Sequence, residues 1–248
     1  KDNDLIGLRY DFAKVNLHIK RRDSVKKISM GIMALEESFD KILIENNRRR
    51  EGLILAFDES LIWKDREKQF AFRLDPSAKS KSLQSIANAP IRVYNEGKVL
   101  TDPKLSKQLN IAKDLLDGLR EGKFLISEVF DMEKLTTFVA ISNLFGGYHG
   151  LFPHNLRIYY NPITNKLEPI SFDSNSGEKL TEILQYPFYE NDQVYLNLLA
   201  EKLKIVSSEA FINAFMKKHD RELKSLLRTL NTEYKTGIDL SILEYNSN

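Results

Sequence analysis

Residues 154–173 read HNLRIYYNPITNKLEPISFD, and the fold turns on what this stretch does. Residues 156–160 and 167–172 have the length and the β-branched and aromatic content of strands. Between them NPITN is a turn, in which proline already restricts φ, and Lys166 closes it. The two strands therefore pair as an antiparallel hairpin. The residue before the first strand and the residue after the second then lie at the same open end. That makes neighbours of Asn155 and Asp173. Pro169 has no backbone donor and is expected at a non-pairing or edge position. The Asn155–Asp173 pair admits two roles. Polar residues commonly end strands, and aspartate commonly leads a turn. Alternatively, an amide oxygen and a carboxylate converge on a hard cation. Magnesium suits such a pair, because it takes few protein carboxylates and fills its shell with water and substrate phosphates.

Working outward, Val15, Leu17 and Ile19 alternate with polar residues, as do Ile28, Met30 and Ile32 after the charged turn RRDSVKK. Period two predicts a half-buried hairpin. In LEESFDKILIENNRRREG the period changes. Leu35, Phe39, Ile42 and Leu43 fall on one helical face, with Gly52 as a stop. Residues 53–75 and 90–97 read as strands with polar connections, and PSAKSKSLQS between them as a loop. Asp102-Pro103 is a cap followed by proline at the first helical position. Leu105, Leu109, Ala112, Leu115 and Leu116 supply that helix with an apolar face. A second helix begins near Asp131, with Met132, Leu135, Phe138, Val139 and Phe145 as its stripe and Gly146-Gly147 as its end. Residues 179–234 are mostly helical by pattern. Strands first and helices last predict an α+β protein.

The 248 residues suffice for one sizeable core or two smaller lobes. A net charge of +2 gives no bulk electrostatic reason to expect nucleic acid or a membrane as partner. With no cysteine, disulfides, thiolate metal sites and cysteine nucleophiles are excluded. No apolar run reaches the ~20 residues of a membrane span. P-loop, H-E-x-x-H and serine-hydrolase elbow are all missing, and the scattered histidines argue against zinc. The chain starts at Lys1, which fits a processed product or a fragment and leaves export or a cell-surface location open.

The hairpin segment resembles the HN-…-Y-…-WD segment of the CotH-type (spore coat protein H) kinase family, a group of atypical protein kinases. GIMALEESFDKILIENNRRREGLILAFDESLIW, upstream, is similar to that family's G-x-Y-x-x-x-E stretch, with Met33 in place of the tyrosine. The resemblance covers about residues 10–177. It implies that Asn155 and Asp173 bind metal, Asp173 in the role of the aspartate of a kinase DFG segment. Asn175 stands where the family often has a second acid, and would ligate through its neutral carbonyl oxygen. Residues 33–37 would form the hinge that receives an adenine, with Glu36 and Glu37 contributing there. The same glutamates also suit a charged first helical turn.

Two departures follow. In GGYHGLFPHN no acid precedes Asn155, so His149 is the candidate catalytic base, or else a residue that orients the loop through a backbone hydrogen bond. The family's phosphate-gripping lysine has no counterpart, since Lys1 and Lys14 lack the matching strand context. Without clamp and base the barrier rises by several kcal/mol, at about 1.4 kcal/mol per tenfold in rate. Arg157 would share a hairpin face with Asn155, where it neutralises a phosphate or covers a tyrosine ring. His154 is expected to make structural hydrogen bonds, Arg48, Arg49 and Arg50 to meet a helix end and solvent, and Trp63 to lie in the core or between lobes.

The resemblance thus implies an atypical kinase-like two-lobe fold. Residues 1–100 would form a truncated N-lobe sheet and hinge, and residues 101–248 a helical C-lobe carrying the metal-binding hairpin. The implied function is ATP- and Mg²⁺-dependent phosphate transfer to protein hydroxyls. The alternative is a pseudokinase-like binding or structural module. Either implies a protein substrate or partner; the oligomeric state stays open.

Overall fold

The computed structural model describes residues 3–22, 24–60, 63–64, 89–235, 237 and 239–247. The expected loop at 76–85, and the strand expected beyond residue 64, lie outside the described residues.

The predicted hairpin is the centre of the molecule. β6 (Arg157–Asn161) and β7 (Lys166–Ser171) pair antiparallel, with Arg157 opposite Ile170 and Asn161 opposite Lys166. β4 (Leu53–Phe57) pairs with the other edge of β6, and β5 (Ile91–Val93) pairs with β4. β1 (Ile6–Gly7) runs parallel to β7, so the sheet order is β1-β7-β6-β4-β5. All five residues of LILAF in β4 are buried, as a strand covered on both faces requires. Leu53, Leu55 and Phe57 face the main core, and Ile54 faces a smaller one with Leu43, Ile44, Tyr159 and Ile170. The sheet therefore joins strands from both sides of residue 100. The fold is α+β with a mixed sheet.

Helices cover the main-core face. Asp102 accepts from Lys104 N (2.8 Å) and Leu105 N (3.2 Å) to start the helix Pro103–Arg120, whose Leu105, Leu109, Ala112 and Leu116 are buried as the pattern predicts. Asp131 likewise caps Met132–Leu144 through Lys134 N at 3.2 Å. With the short helices Lys41–Asn46, Glu96–Thr101 and Ile126–Val129, these are α1 (41–46), α2 (96–101), α3 (103–120), α4 (126–129) and α5 (132–144). After β7 come α6 (Gln193–Val206), α7 (Glu209–Leu230) and α8 (Ser241–Ser247). No described helix is long and apolar enough to cross a membrane.

Several expectations need correcting. The helix expected around 35–50 is only α1, because strand pairing continues to Glu37 N, which donates to Arg9 O at 3.0 Å, and Asp40 then caps at Ile42 N (2.7 Å). Leu35 and Ile42 are exposed as a result. The strand expected over 90–97 stops at Val93, since Asn95 adopts a left-handed φ of 56° and α2 follows. Helix in the tail begins only at Gln193; Phe188 and Asn191, both at positive φ, interrupt what precedes it. The first hairpin forms, as β2 (Tyr10–Arg21) and β3 (Ser24–Glu36), but as a separate two-stranded ribbon exposed over most of its length. Trp63 lies on the surface, its indole N–H donating to Glu59 at 3.1 Å.

Arg49 also departs from expectation. It turns inward with its side chain only 10% exposed, and its Nε donates to Glu168 at 2.8 Å while one terminal nitrogen donates to the Asp4 carboxylate at 2.7 Å. Glu168 also accepts from Asn161 at 2.8 Å. Arg49→Met leaves the Glu168 carboxylate buried with one neutral donor, and breaking a buried pair from one side costs about 3–5 kcal/mol. Urea unfolding should show that loss, and Arg49→Lys should not restore it, because an ammonium cannot reach both acids as a fork does. Asp192, the cap of α6, gives a pH prediction. Burial opposes its ionisation, but donation from Ser127, Tyr195 and Val194 outweighs burial and holds its carboxyl below the usual range. A depressed folded-state value stabilises above the unfolded pKa, near 3.8, and is lost as pH falls through the folded value. Asp192→Asn should flatten this acid limb of the stability–pH curve.

Candidate functional site

The hairpin's open end faces a glycine-rich turn that follows α5. Gly146 ends the helix at φ 61°, and two 3₁₀ turns, Tyr148–Leu151 and Pro153–Asn155, lead into β6. The segment after β7 lies directly against this turn. A Cβ on Gly146 would sit 2.0 Å from Glu178 O, and one on Gly150 would sit 3.0 Å from both Phe172 O and Ser174 Oγ. Gly177 N donates to Phe145 O at 2.9 Å, closing the contact. Glycines at these points permit two backbone segments to approach. Asp173 and Asn175 themselves adopt left-handed φ values of 45° and 46°, which fold the strand end back over the turn.

Asn155 and Asp173 meet through His149. The Asn155 amide nitrogen lies 3.0 Å from His149 O and 2.9 Å from His149 Nδ1. The same Nδ1 lies 3.0 Å from Asp173 O and 3.2 Å from the Asp173 carboxylate. One ring nitrogen cannot satisfy both sides. As a bare nitrogen Nδ1 accepts from the Asn155 amide, and as an N–H in the other tautomer it donates to Asp173, so it links the two residues one side at a time. Asn155 is buried with its nitrogen committed, while its Oδ1 makes no hydrogen bond to a described residue. Asp173 is 48% exposed. Asn175 is exposed two residues further on. Among the described residues no group of three or more Asp, Glu or His converges as a self-sufficient metal cage. A cation here would take Asp173, a carbonyl oxygen and ligand or water oxygens, which is how magnesium is commonly held.

Arg157 serves beneath this cluster. Its guanidinium donates to His154 O (2.9 Å), Leu156 O (3.2 Å) and Glu59 (3.2 Å), and lies over the Phe172 ring at 4.7 Å and the Phe39 ring at 5.7 Å. The rings it covers are phenylalanines rather than tyrosine. Its charge is matched by Glu59, a partner that sequence reasoning missed because it lies 98 residues away. The His154 carbonyl accepts one of these bonds, and its ring lies 5.7 Å from the rings of His149 and Phe152.

The two glutamates divide. Glu37 is nearly buried and accepts from Arg9 N (3.1 Å), Arg9 Nε (3.0 Å) and Asn46 (2.8 Å). Burial opposes its ionisation, yet these bonds hold its carboxyl below the usual range. It fastens the base of the ribbon to α1. Glu36 is exposed and accepts from the Tyr10 hydroxyl at 2.7 Å. Burial, that hydrogen bond and the negative charges of Glu36 and Asp173 push the Tyr10 hydroxyl above the usual phenol range. Tyr10 and Glu36, opposite each other in the ribbon, therefore lie within electrostatic reach of Asp173. Pairing alternates so that Met33 and Leu35 turn their backbone groups toward β2, whereas Ala34 and Glu36 turn theirs to the outer edge.

No family model and no curated protein sequence matches this chain.

Gly146→Ala forces a side chain onto the Glu178 backbone at a left-handed φ, so it should destabilise by more than about 1 kcal/mol. Gly122, also left-handed at φ 70° but with nothing near its Cβ position, separates the two effects. Gly122→Ala should cost less in the same thermal denaturation, by the steric part alone.

Proposed function

We propose that this chain is a CotH-like atypical kinase domain that binds ATP with Mg²⁺ at Asp173 and Asn155 and transfers phosphate to protein hydroxyls. The observation that carries this is the convergence of Asn155, His149 and Asp173 at one end of a β-hairpin. Their order along the chain (glycine-rich turn, asparagine, hairpin, aspartate) is the order in which kinases present their metal-holding groups. ATP would supply the phosphate oxygens that complete a shell to which the protein gives few ligands.

In this scheme the ribbon takes the part of an N-lobe sheet, and the outward backbone of Ala34 and Glu36 is the edge available to a nucleotide base. Phosphoryl transfer rests on positioning and on stabilising charge, so the residues present act mainly by holding geometry. His149 orients Asn155 and Asp173; with its Nδ1 engaged on both sides, that nitrogen is not free to take a proton from a substrate hydroxyl. Arg157 and Phe172 hold the strand end that carries Asp173. Among the described residues no lysine or arginine pairs with Asp173. That favours a second form of the proposal, in which the domain binds nucleotide and metal as a pseudokinase-like module and transfers slowly or not at all.

Thermal denaturation with Mg·ATP tests the shared part. A ligand bound only by the folded state stabilises it by about 2.7 kcal/mol at a hundredfold excess over Kd. The melting temperature should rise with Mg·ATP, rise less with ATP alone, and not rise in Asp173→Ala. A chain indifferent to Mg·ATP would sink the proposal. Incubation of a responsive chain with labelled ATP and protein acceptors then separates kinase from pseudokinase.

A further inference from the structure

β2 is 12 residues long, so the β2–β3 ribbon extends about 40 Å at 3.3 Å per residue. Its base lies within electrostatic reach of Asp173, and near its middle Glu233 accepts from Ile32 N at 2.6 Å. Beyond that point, residues 16–22 and 24–30 make no hydrogen bond or ion pair to another described element. The ribbon's two faces differ. Val15, Leu17 and Ile19 share one face with Ile28, opposite Leu17, and with Lys26, opposite Ile19; Lys14, His18 and Lys20 take the other, with Lys27 opposite His18 and Val25 opposite Lys20, so one face is mainly aliphatic and the other mainly basic. Leu17 is 45% exposed and Val25, near the turn, 51%. Lys14, Lys20, Arg21, Arg22, Lys26 and Lys27 stand against Asp23 in this stretch of a chain whose total charge is only +2. The remainder is net acidic, so positive charge is segregated onto the ribbon.

We propose that the tip of this ribbon docks the protein on an anionic lipid surface, its aliphatic side chains entering the interface and its lysines and arginines meeting the headgroups. Charge complementarity calls for an anionic partner, and the exposed aliphatic face narrows the choice. A nucleic acid would engage the basic face and leave Leu17, Ile19 and Ile28 in water. Addition of a strand along the ribbon's edge is opposed by the bulge at Val15/Asn16. A tip that makes no hydrogen bond or ion pair to another described element can meet a plane, and a bilayer rewards both halves of its chemistry. This docking is independent of the nucleotide site, which lies at the opposite end of the ribbon.

Flotation of the full chain with vesicles tests it. The protein should float with phosphatidylcholine–phosphatidylserine vesicles and stay behind with phosphatidylcholine alone. Combined Lys20→Gln, Lys26→Gln and Lys27→Gln should weaken binding about a hundredfold, at roughly fivefold per cation. Leu17→Ser with Ile19→Ser should remove the part of the binding that survives high salt. These side chains are exposed, so an unchanged melting temperature will show that each variant is folded; Asp173→Ala should float as the native chain does. Failure of the native chain to float, indifference to the lysine changes, or tighter binding to duplex DNA or polyglutamate than to the charged vesicles would each overturn the proposal.

Discussion

The geometry of the candidate site depends on one constraint: β6 is hydrogen-bonded along both edges. β7 holds one side and β4 the other, so Arg157 is fixed opposite Ile170 and Ala56 at once. A strand held this way cannot slide. Asn155, two residues before Arg157, and Asp173, three after Ile170, emerge at the same end of the sheet. The glycines of the preceding turn then admit the backbone of 172–178 at contact distance. His149 is pressed between them by that approach.

Two buried charges reinforce the register. Arg157 in β6 and Glu168 in β7 are 7% and 2% exposed, and each meets a partner from another part of the chain, Glu59 and Arg49. A slip of one residue would turn both side chains to the opposite face, separating Arg157 from Glu59 and Glu168 from Arg49 and leaving buried charge unpaired. Such pairs add little net stability compared with an apolar core, but they make competing registers costly. Arg157 also carries Phe172 against its guanidinium, and Phe172 packs edge-on to Phe39 at 5.1 Å. The residue that precedes Asp173 is thus anchored to the core while Asp173 itself stays open to solvent.

The ribbon shows the contrast. Its strands pair only with each other, it is tied to the rest by Asn46 bound to Glu37 at its base, by Glu233 and Tyr234 at Ile32 and by α7 against β2, and both faces meet solvent over most of its length. Hydrophobic burial does not explain an aliphatic face left in water, whereas a partner that covers it would. Concentrating basic residues there also protects the open edges from pairing with other chains.

By itself, the sequence determined the elements whose signals are local. The NPITN turn and its flanking strands, and the two helices started by Asp102 and Asp131, appear within a residue or two of where composition and spacing put them, because turn and cap chemistry acts over three or four residues. It also brought Asn155 and Asp173 to one end, a consequence of antiparallel pairing alone. Periodicity could not tell whether a face would be covered. The same alternation that marks the buried strand of a sheet marks β2, which stays exposed. Nor could spacing show that Asp40 rather than Leu35 begins α1, that β4 and β5 join the hairpin's sheet, or that Arg49 turns inward. Those outcomes rest on contacts between residues as far apart as Arg49 and Glu168 or Glu59 and Arg157. Only the assembled sheet decides which distant charge meets which, since the energy of a buried ion pair exists only when both partners have arrived.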